Sequence, residues 1–317
     1  MNKFKKIGLT ALAGSLVATS AFAGSLSVSG SASMDVNNVS GSADPSTGKN
    51  FSMGNSVIIS GGGELDNGMS VSVSFELDQG AGAGVGTATD TGKPFDSHSV
   101  TISSDTLGTL TLSGHGGSSA QSAMDTTAAG DIWNNTLGIT GNPAAAAAGN
   151  DSLFYTLPSM VDGLAVTASM SPRGSTANQG TLTSYGISFT GVEGLTLNYA
   201  VGDSGVAGSV VESTTMHAAY SMGAFSVGYS VTDDNSSTNP EIKGLQLGYT
   251  VSDDLSITYG QETIGKTGAA DQEVEALGVS YTTGGMTLGA NTYESTNGGY
   301  TSGAKTEKWA LSASFAF

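Results

Sequence analysis

The stretch Gly24-Ser-Leu-Ser-Val-Ser-Gly-Ser-Ala-Ser-Met-Asp-Val-Asn37 carries the pattern on which the prediction of the fold rests. Its even-numbered residues are apolar or small, and its odd-numbered residues are Ser, Asp or Asn. Alternation with a period of two is the signal of a β-strand with one apolar face and one polar face. The alternation recurs to the end of the chain, where Trp309, Leu311, Ala313, Phe315 and Phe317 share one face. The sequence therefore predicts an all-β protein.

The connections between these segments alternate between short turns and long loops. The eight long ones lie at about residues 37–50, 78–96, 114–149, 172–180, 203–212, 233–239, 263–271 and 294–305. Together with seven short turns they imply about sixteen antiparallel strands, with all long loops at one end. Short turns on one side and long loops on the other are typical of outer-membrane barrels.

The second face of the strands is small and hydroxylic. Thr109, Thr111 and Ser113, for example, alternate with Leu110 and Leu112. Such a face cannot form a dry core, but it can line water. The sequence therefore predicts a transmembrane antiparallel β-barrel that is inside-out, with its apolar residues toward lipid.

Tyrosines near the strand ends predict two aromatic girdles at the membrane interfaces. With the long loops outside, strand direction assigns each tyrosine to a rim. The assignment is Tyr199, Tyr229 and Tyr259 to the outer rim, and Tyr220, Tyr249 and Tyr281 to the periplasmic rim.

Residues 1–23 read as a secretory signal peptide, followed by a barrel domain over residues 24–317. A basic start precedes the short apolar core Ile7–Val17, and Ala21-Phe22-Ala23 is a small-x-small cleavage site. No later segment approaches the ~20 apolar residues of a transmembrane helix. These features predict export to the outer membrane.

The charge balance is strongly acidic. The whole chain carries −17 at pH 7, and removal of the three lysines of the signal leaves 7 − 27 = −20. Such a charge argues against nucleic acid as a partner and favours cations. Asp233-Asp234-Asn235 and Asp253-Asp254 offer the oxygen ligands that Ca²⁺ takes, but their spacing matches no EF-hand loop. A solvated loop is the better interpretation, and no cofactor or metal site is expected; with no Cys, thiolate sites are excluded.

Three segments resemble the general bacterial porins of the alphaproteobacterial kind. Leu107–Ser113 is similar to the strand that leads into their constriction loop, Asn150–Val166 to the strand–turn–strand that follows it, and the terminal Phe317 to their assembly signal. The resemblance implies a homotrimer of sixteen-stranded barrels, each with a water-filled channel narrowed by the third loop. One departure is that the mature chain has one Arg, Arg173, and six Lys, of which only Lys308 has clear inward parity.

The connection Gly114–Gly149 is the third of the long loops and the longest. We therefore expect it to fold into the lumen as the constriction. Trp133 is expected either to anchor this loop against the wall or to pack within it, and Ala144–Ala148 is either a short helix or a spacer. The candidate pore residues are Asp125 and Asp131 on the loop, with Glu76, His115, His217 and Lys308 on inward-facing positions.

These residues predict a passive diffusion pore for small hydrophilic solutes and ions that prefers cations, because carboxylates in a low-dielectric wall attract them. A solute-specific channel and a structural or adhesive barrel without general pore activity are the alternatives. An enzyme is not expected, because the histidines are limited to His98, His115 and His217 and none has a nucleophile with a third orienting group beside it.

Overall fold

The computed structural model describes residues 24–42, 47–78, 95–124, 150–172, 180–203, 210–237 and 240–317. Residues 1–23 lie outside this range, so the signal peptide stays a prediction. Among the described residues, no helix is both long and apolar enough to span a bilayer.

Sixteen strands and one 3-10 turn, Gly298–Tyr300, make up the regular structure of the described residues. The strands are β1 Ser25–Gly41, β2 Gly48–Glu64, β3 Ser70–Asp78, β4 Ser97–Ser104, β5 Gly108–His115, β6 Ser152–Thr156, β7 Leu164–Ser171, β8 Leu182–Val192, β9 Leu195–Asp203, β10 Glu212–Met222, β11 Phe225–Asp234, β12 Glu241–Ser252, β13 Leu255–Gly265, β14 Gln272–Thr283, β15 Met286–Thr296 and β16 Lys305–Ala316.

The strands form one closed antiparallel barrel. Each strand pairs with its neighbours in sequence, and β1 pairs with β16 from Ser31 opposite Ala316 to Gly41 opposite Thr306. The predicted fold is therefore confirmed. The first loop is shorter than expected, because Asn37 and Asn38 still pair with β2 after the apolar alternation has ended. Hydrogen bonds between the backbones of neighbouring strands do not require an apolar face, so β1 and β2 stay paired beyond the alternating residues.

A glycine and the terminal aromatic residue meet where the barrel closes. The Gly30 amide donates to the Phe317 carbonyl at 2.8 Å, and the Phe317 amide donates to the Gly30 carbonyl at 3.0 Å. A Cβ on residue 30 would lie 2.5 Å from the Phe317 ring. Glycine at this position therefore lets the ring lie across β1.

The two faces of the barrel have the predicted polarity. On β9, Leu197 and Tyr199 are exposed on the outside, whereas Asn198 and Ala200, which alternate with them, are buried on the inside. Within the described residues, the buried apolar cluster is small and consists of Ile242, Ile264 and Val274 on β12–β14. The barrel is thus held together by its backbone ladder rather than by a conventional apolar core.

Candidate functional site

The first residues after β5 form a helical turn, Ser119–Met124. The Ala123 amide donates to the Ser119 carbonyl at 2.9 Å. Ser119 and Ser122 cap each other: the Ser119 amide donates to Ser122 Oγ at 2.8 Å, and the Ser122 amide donates to Ser119 Oγ at 2.9 Å. This is the reciprocal geometry of a capping box, with Ser in place of the usual Glu.

The barrel wall supplies acceptors for the remaining amides at the start of this turn. The Ala120 amide donates to Ser169 Oγ of β7 at 2.8 Å, and the Gln121 amide donates to Ser184 Oγ of β8 at 3.2 Å. The two serine hydroxyls are themselves 2.7 Å apart. Amides at the beginning of a helical turn have no partner within the turn. The wall hydroxyls therefore fix the position of the turn inside the barrel.

The side chain of Gln121 extends the contact to β10. Its Nε2 donates to Thr215 Oγ1 at 3.1 Å, and its Oε1 accepts from Ser213 Oγ at 2.9 Å. Thr215 in turn lies 3.1 Å from Thr232 Oγ1 on β11. Gln121 is only 2 % exposed, so both hydrogen bonds are shielded from water and costly to leave unmade.

Gly186 on β8 gives the turn the room to approach the wall. A Cβ at this position would lie 2.3 Å from Met124 Cε, 2.7 Å from Thr167 Oγ1 and 3.1 Å from the Ala120 carbonyl oxygen. The inward face of β8 is therefore small because the loop occupies the space above it. The alternation Ser184-x-Gly186-x-Ser188 is the sequence signal for this seat, because it keeps the inward face of β8 small.

Some predicted pore residues are tied to the wall. Glu76 accepts a hydrogen bond from Ser97 Oγ at 2.9 Å, and the His115 ring nitrogen Nδ1 is bonded to the Asp96 carbonyl oxygen. His217 has the expected inward parity, but it is 4 % exposed and its Nδ1 lies 3.2 Å from the Asn198 side-chain amide. His217 is thus packed into the wall rather than open to the lumen.

Lys308 faces the lumen, with its Nζ 5.5 Å from the centroid of the Tyr293 ring. Lys308 is the one Lys or Arg on an inward strand position within the described ranges; the other strand lysines, Lys49, Lys243 and Lys305, face outward. Asp125, Asp131, Trp133 and Ala144–Ala148 lie outside the described residues.

The inward faces carry more carboxylates than the sequence interpretation named. The strand register places six carboxylates on the lumen side: Asp35, Glu64, Glu76, Asp78, Asp234 and Glu262. Asp234 and Glu262 are buried, at 3 % exposure each. Parity alone identifies Asp35, because it belongs to the polar face of the opening stretch.

At the outer mouth, the connection between β15 and β16 is hydrogen-bonded to Asp271 and Gln272, where β14 begins. The Asn297 side-chain amide donates to the Asp271 carbonyl at 2.8 Å, and the Gly299 amide donates to Gln272 Oε1 at 2.8 Å. Lys266 Nζ lies 3.7 Å from the centroid of the Tyr300 ring. Burial raises the pKa of the Tyr300 phenol; its hydrogen bond with Gln272 opposes this shift and the nearby Asp271 charge adds to it.

The six tyrosines assigned to the girdles all lie on the outward face. Tyr199, Tyr229, Tyr220, Tyr249 and Tyr281 are exposed, and Tyr259 is partly exposed. The rings of Phe225 and Tyr249 pack against each other with centroids 4.8 Å apart. No group of three or more His, Asp or Glu arranged to hold a metal ion occurs in the described parts of the chain.

A family model described as Gram-negative porin matches residues 8–317. Among solved structures, a porin mutant from Rh. blastica is 15% identical with a TM-score of 0.68, covering 92% of this chain and 100% of its own. An anion-selective porin from Comamonas acidovorans is 13% identical with a TM-score of 0.65, covering 92% and 99%. Salmonella typhi OmpF in complex with daunomycin is 10% identical with a TM-score of 0.71, covering 93% and 98%. A search of curated proteins found no match.

Proposed function

The chain belongs to the Gram-negative porin family, and on this premise we propose that it forms a water-filled channel for passive diffusion of small hydrophilic solutes and ions across the outer membrane. The observation that carries the proposal is the docked turn Ser119–Met124. It is held on one side of the lumen by β7, β8 and β10. A loop start fixed to one wall narrows a channel without filling it.

The proposed channel prefers cations. Six carboxylates lie on inward positions of the described strands, against the single inward amine of Lys308. A low-dielectric wall focuses the field of such charges and raises the local concentration of the opposite ion. The fold itself does not determine the sign of the selectivity, since one structure with this fold is described as an anion-selective porin.

The proposed partners are outer-membrane lipids and two further copies of the chain. The tyrosines on the outward face support placement in a bilayer with aromatic girdles at both interfaces. A homotrimer follows from the family resemblance, and the small outward residues Gly30 and Ala32 on β1 are compatible with close subunit contact. Phe317 is proposed as the assembly signal; no cofactor and no enzymatic activity are proposed.

Planar-bilayer recording of the purified protein tests this function. We expect ohmic single-channel conductance and a reversal potential under a KCl gradient that reports cation preference. Uptake of small sugars by liposomes should accompany it. Saturable conductance blocked by one solute would support the solute-specific alternative, and folded protein without conductance or sugar uptake would support a structural barrel. Anion preference would contradict the proposed selectivity.

A further inference from the structure

The wall of the lumen opposite the docked loop carries one carboxylate from the opening stretch, Asp35. It pairs with Ser52 on β2 and Ser312 on β16, and all three belong to the inward face. In a closed ring of sixteen strands, the position opposite β1 is β9. The turn Ser119–Met124 is seated on β7, β8 and β10, so Asp35 lies across the lumen from this turn.

Asp35 also lies at about the same depth in the membrane as the wall residues that bind the turn Ser119–Met124. The paired residues that lead from Asp35 around the barrel are Ser312, Gly289, Ser280, Ser256 and Thr250. This row reaches the turn between β10 and β11 at Ala224. Strands lie ~4.8 Å apart and are tilted by ~40°, so each step from one strand to the next along the row changes the depth in the membrane by slightly more than the rise of one residue. The seven steps from β1 to β10 therefore change the depth by about eight residues. Eight residues above that turn on β10 is Thr215, which binds Gln121.

The carboxylate of Asp35 lies within Coulombic range of the Tyr293 phenol. Its neighbours in the row are serines and a glycine, and none of the ion pairs among the described residues includes it. Lys308 lies four positions nearer the outer rim on β16, with its ammonium group next to Tyr293. The field of Asp35 is therefore free to act on ions in the lumen.

We propose that Asp35 is the residue of the barrel wall that sets the cation preference of the channel, an inference that rests on the proposed channel function. At about 5 Å from a hydrated monovalent cation, the unit charge of Asp35 changes the occupancy of that cation about fourfold in water. The channel then differs from a pore with opposed acidic and basic walls, because its selectivity comes from the wall that faces the loop.

The substitution Asp35→Asn removes the charge and keeps the shape. In a KCl gradient near 10 mM, we expect the ratio of cation to anion permeability to fall about two- to fourfold, and the difference to vanish near 1 M salt, where the Debye length is about 3 Å. Glu273→Gln is the matched control, because Glu273 is a carboxylate on the outward face of β14. It should leave the ratio unchanged.

A second variant tests the position independently of the asparagine. The chain contains no cysteine, so Asp35→Cys introduces a single thiol. A negatively charged methanethiosulfonate should restore the cation preference, and a positively charged one should lower it further.

The outcomes separate this inference from the proposed function. A wild-type channel that prefers anions, or does not conduct, contradicts the proposed function itself. A cation-preferring wild type whose ratio is unchanged by Asp35→Asn, or by both reagents on Asp35→Cys, overturns the role of Asp35. Loss of preference in Asp125→Asn or Asp131→Asn, with none in Asp35→Asn, would assign selectivity to the loop.

Discussion

Replacing Gln121 by Leu should release the start of the third loop from the barrel wall. Leucine has a similar size but can neither donate to Thr215 Oγ1 nor accept from Ser213 Oγ, which lie 3.1 Å and 2.9 Å from the glutamine amide atoms. Each buried hydrogen bond contributes roughly 0.5–1.5 kcal/mol, and a buried hydroxyl left without a partner costs roughly 1–3 kcal/mol. Thr215 keeps its contact with Thr232, so the penalty falls mainly on Ser213.

The sum is a loss of about 2–4 kcal/mol in the free energy of docking, which changes the ratio of docked to undocked loop by roughly 30- to 700-fold. Because docking narrows the lumen, we expect wider or rapidly fluctuating conductance levels in single-channel recordings of Gln121→Leu. The barrel should still form, since the sixteen-strand ladder does not involve this side chain.

Gln261→Leu is the matched control. It makes the same exchange at a position that pairs with Leu245 and Glu275 on the outward side of β13, and its conductance should equal that of the wild type. A folded Gln121→Leu protein with wild-type conductance and noise would show that these two hydrogen bonds do not hold the start of the loop.

Three further substitutions test separate features. Gly186→Val adds a side chain whose Cβ would lie 2.3 Å from Met124 Cε. We expect a destabilisation of about 1–3 kcal/mol and an altered conductance. The control Gly61→Val should be tolerated, because the nearest neighbour of its Cβ would be 3.7 Å away. Gly30→Val should displace the Phe317 ring and slow refolding into detergent or lipid, measured by the heat-sensitive shift in electrophoretic mobility; refolding at the wild-type rate would contradict the closure contact. Lys308→Met removes the inward amine, so the ratio of cation to anion permeability should rise, while the outward Lys243→Met should not change it.

The alternation in the sequence was sufficient for the fold. Side-chain parity along a strand is a local property, so sixteen strands, their outward apolar faces and the alternation of long and short connections could be predicted without any tertiary information. The register has Glu76, His217 and Lys308 at inward positions, whereas His115 pairs with His98 across a register shift at the end of β5. Parity is equally informative about Asp35, which belongs to the polar face of the first strand.

The packing at each inward position could not be predicted in this way. Parity shows which face His217 occupies, but not that Asn198 lies beside its ring and that both are buried. The same holds for Ser184 and Gly186, whose sequence is that of any water-lining strand. Their role depends on a loop that approaches from another part of the chain.

What the sequence determined by itself was the period of two, the order of the strands and the polarity of the two faces, because each depends on residues that are near one another in the chain. The tertiary structure was needed to show which wall receives the start of the third loop and which residues then face it. Gln121 binds partners 92 and 94 positions away, and Asp35 lies across the lumen from it only because β1 closes on β16 with a particular register. Closure and register are properties of the whole ring, and no local pattern encodes them.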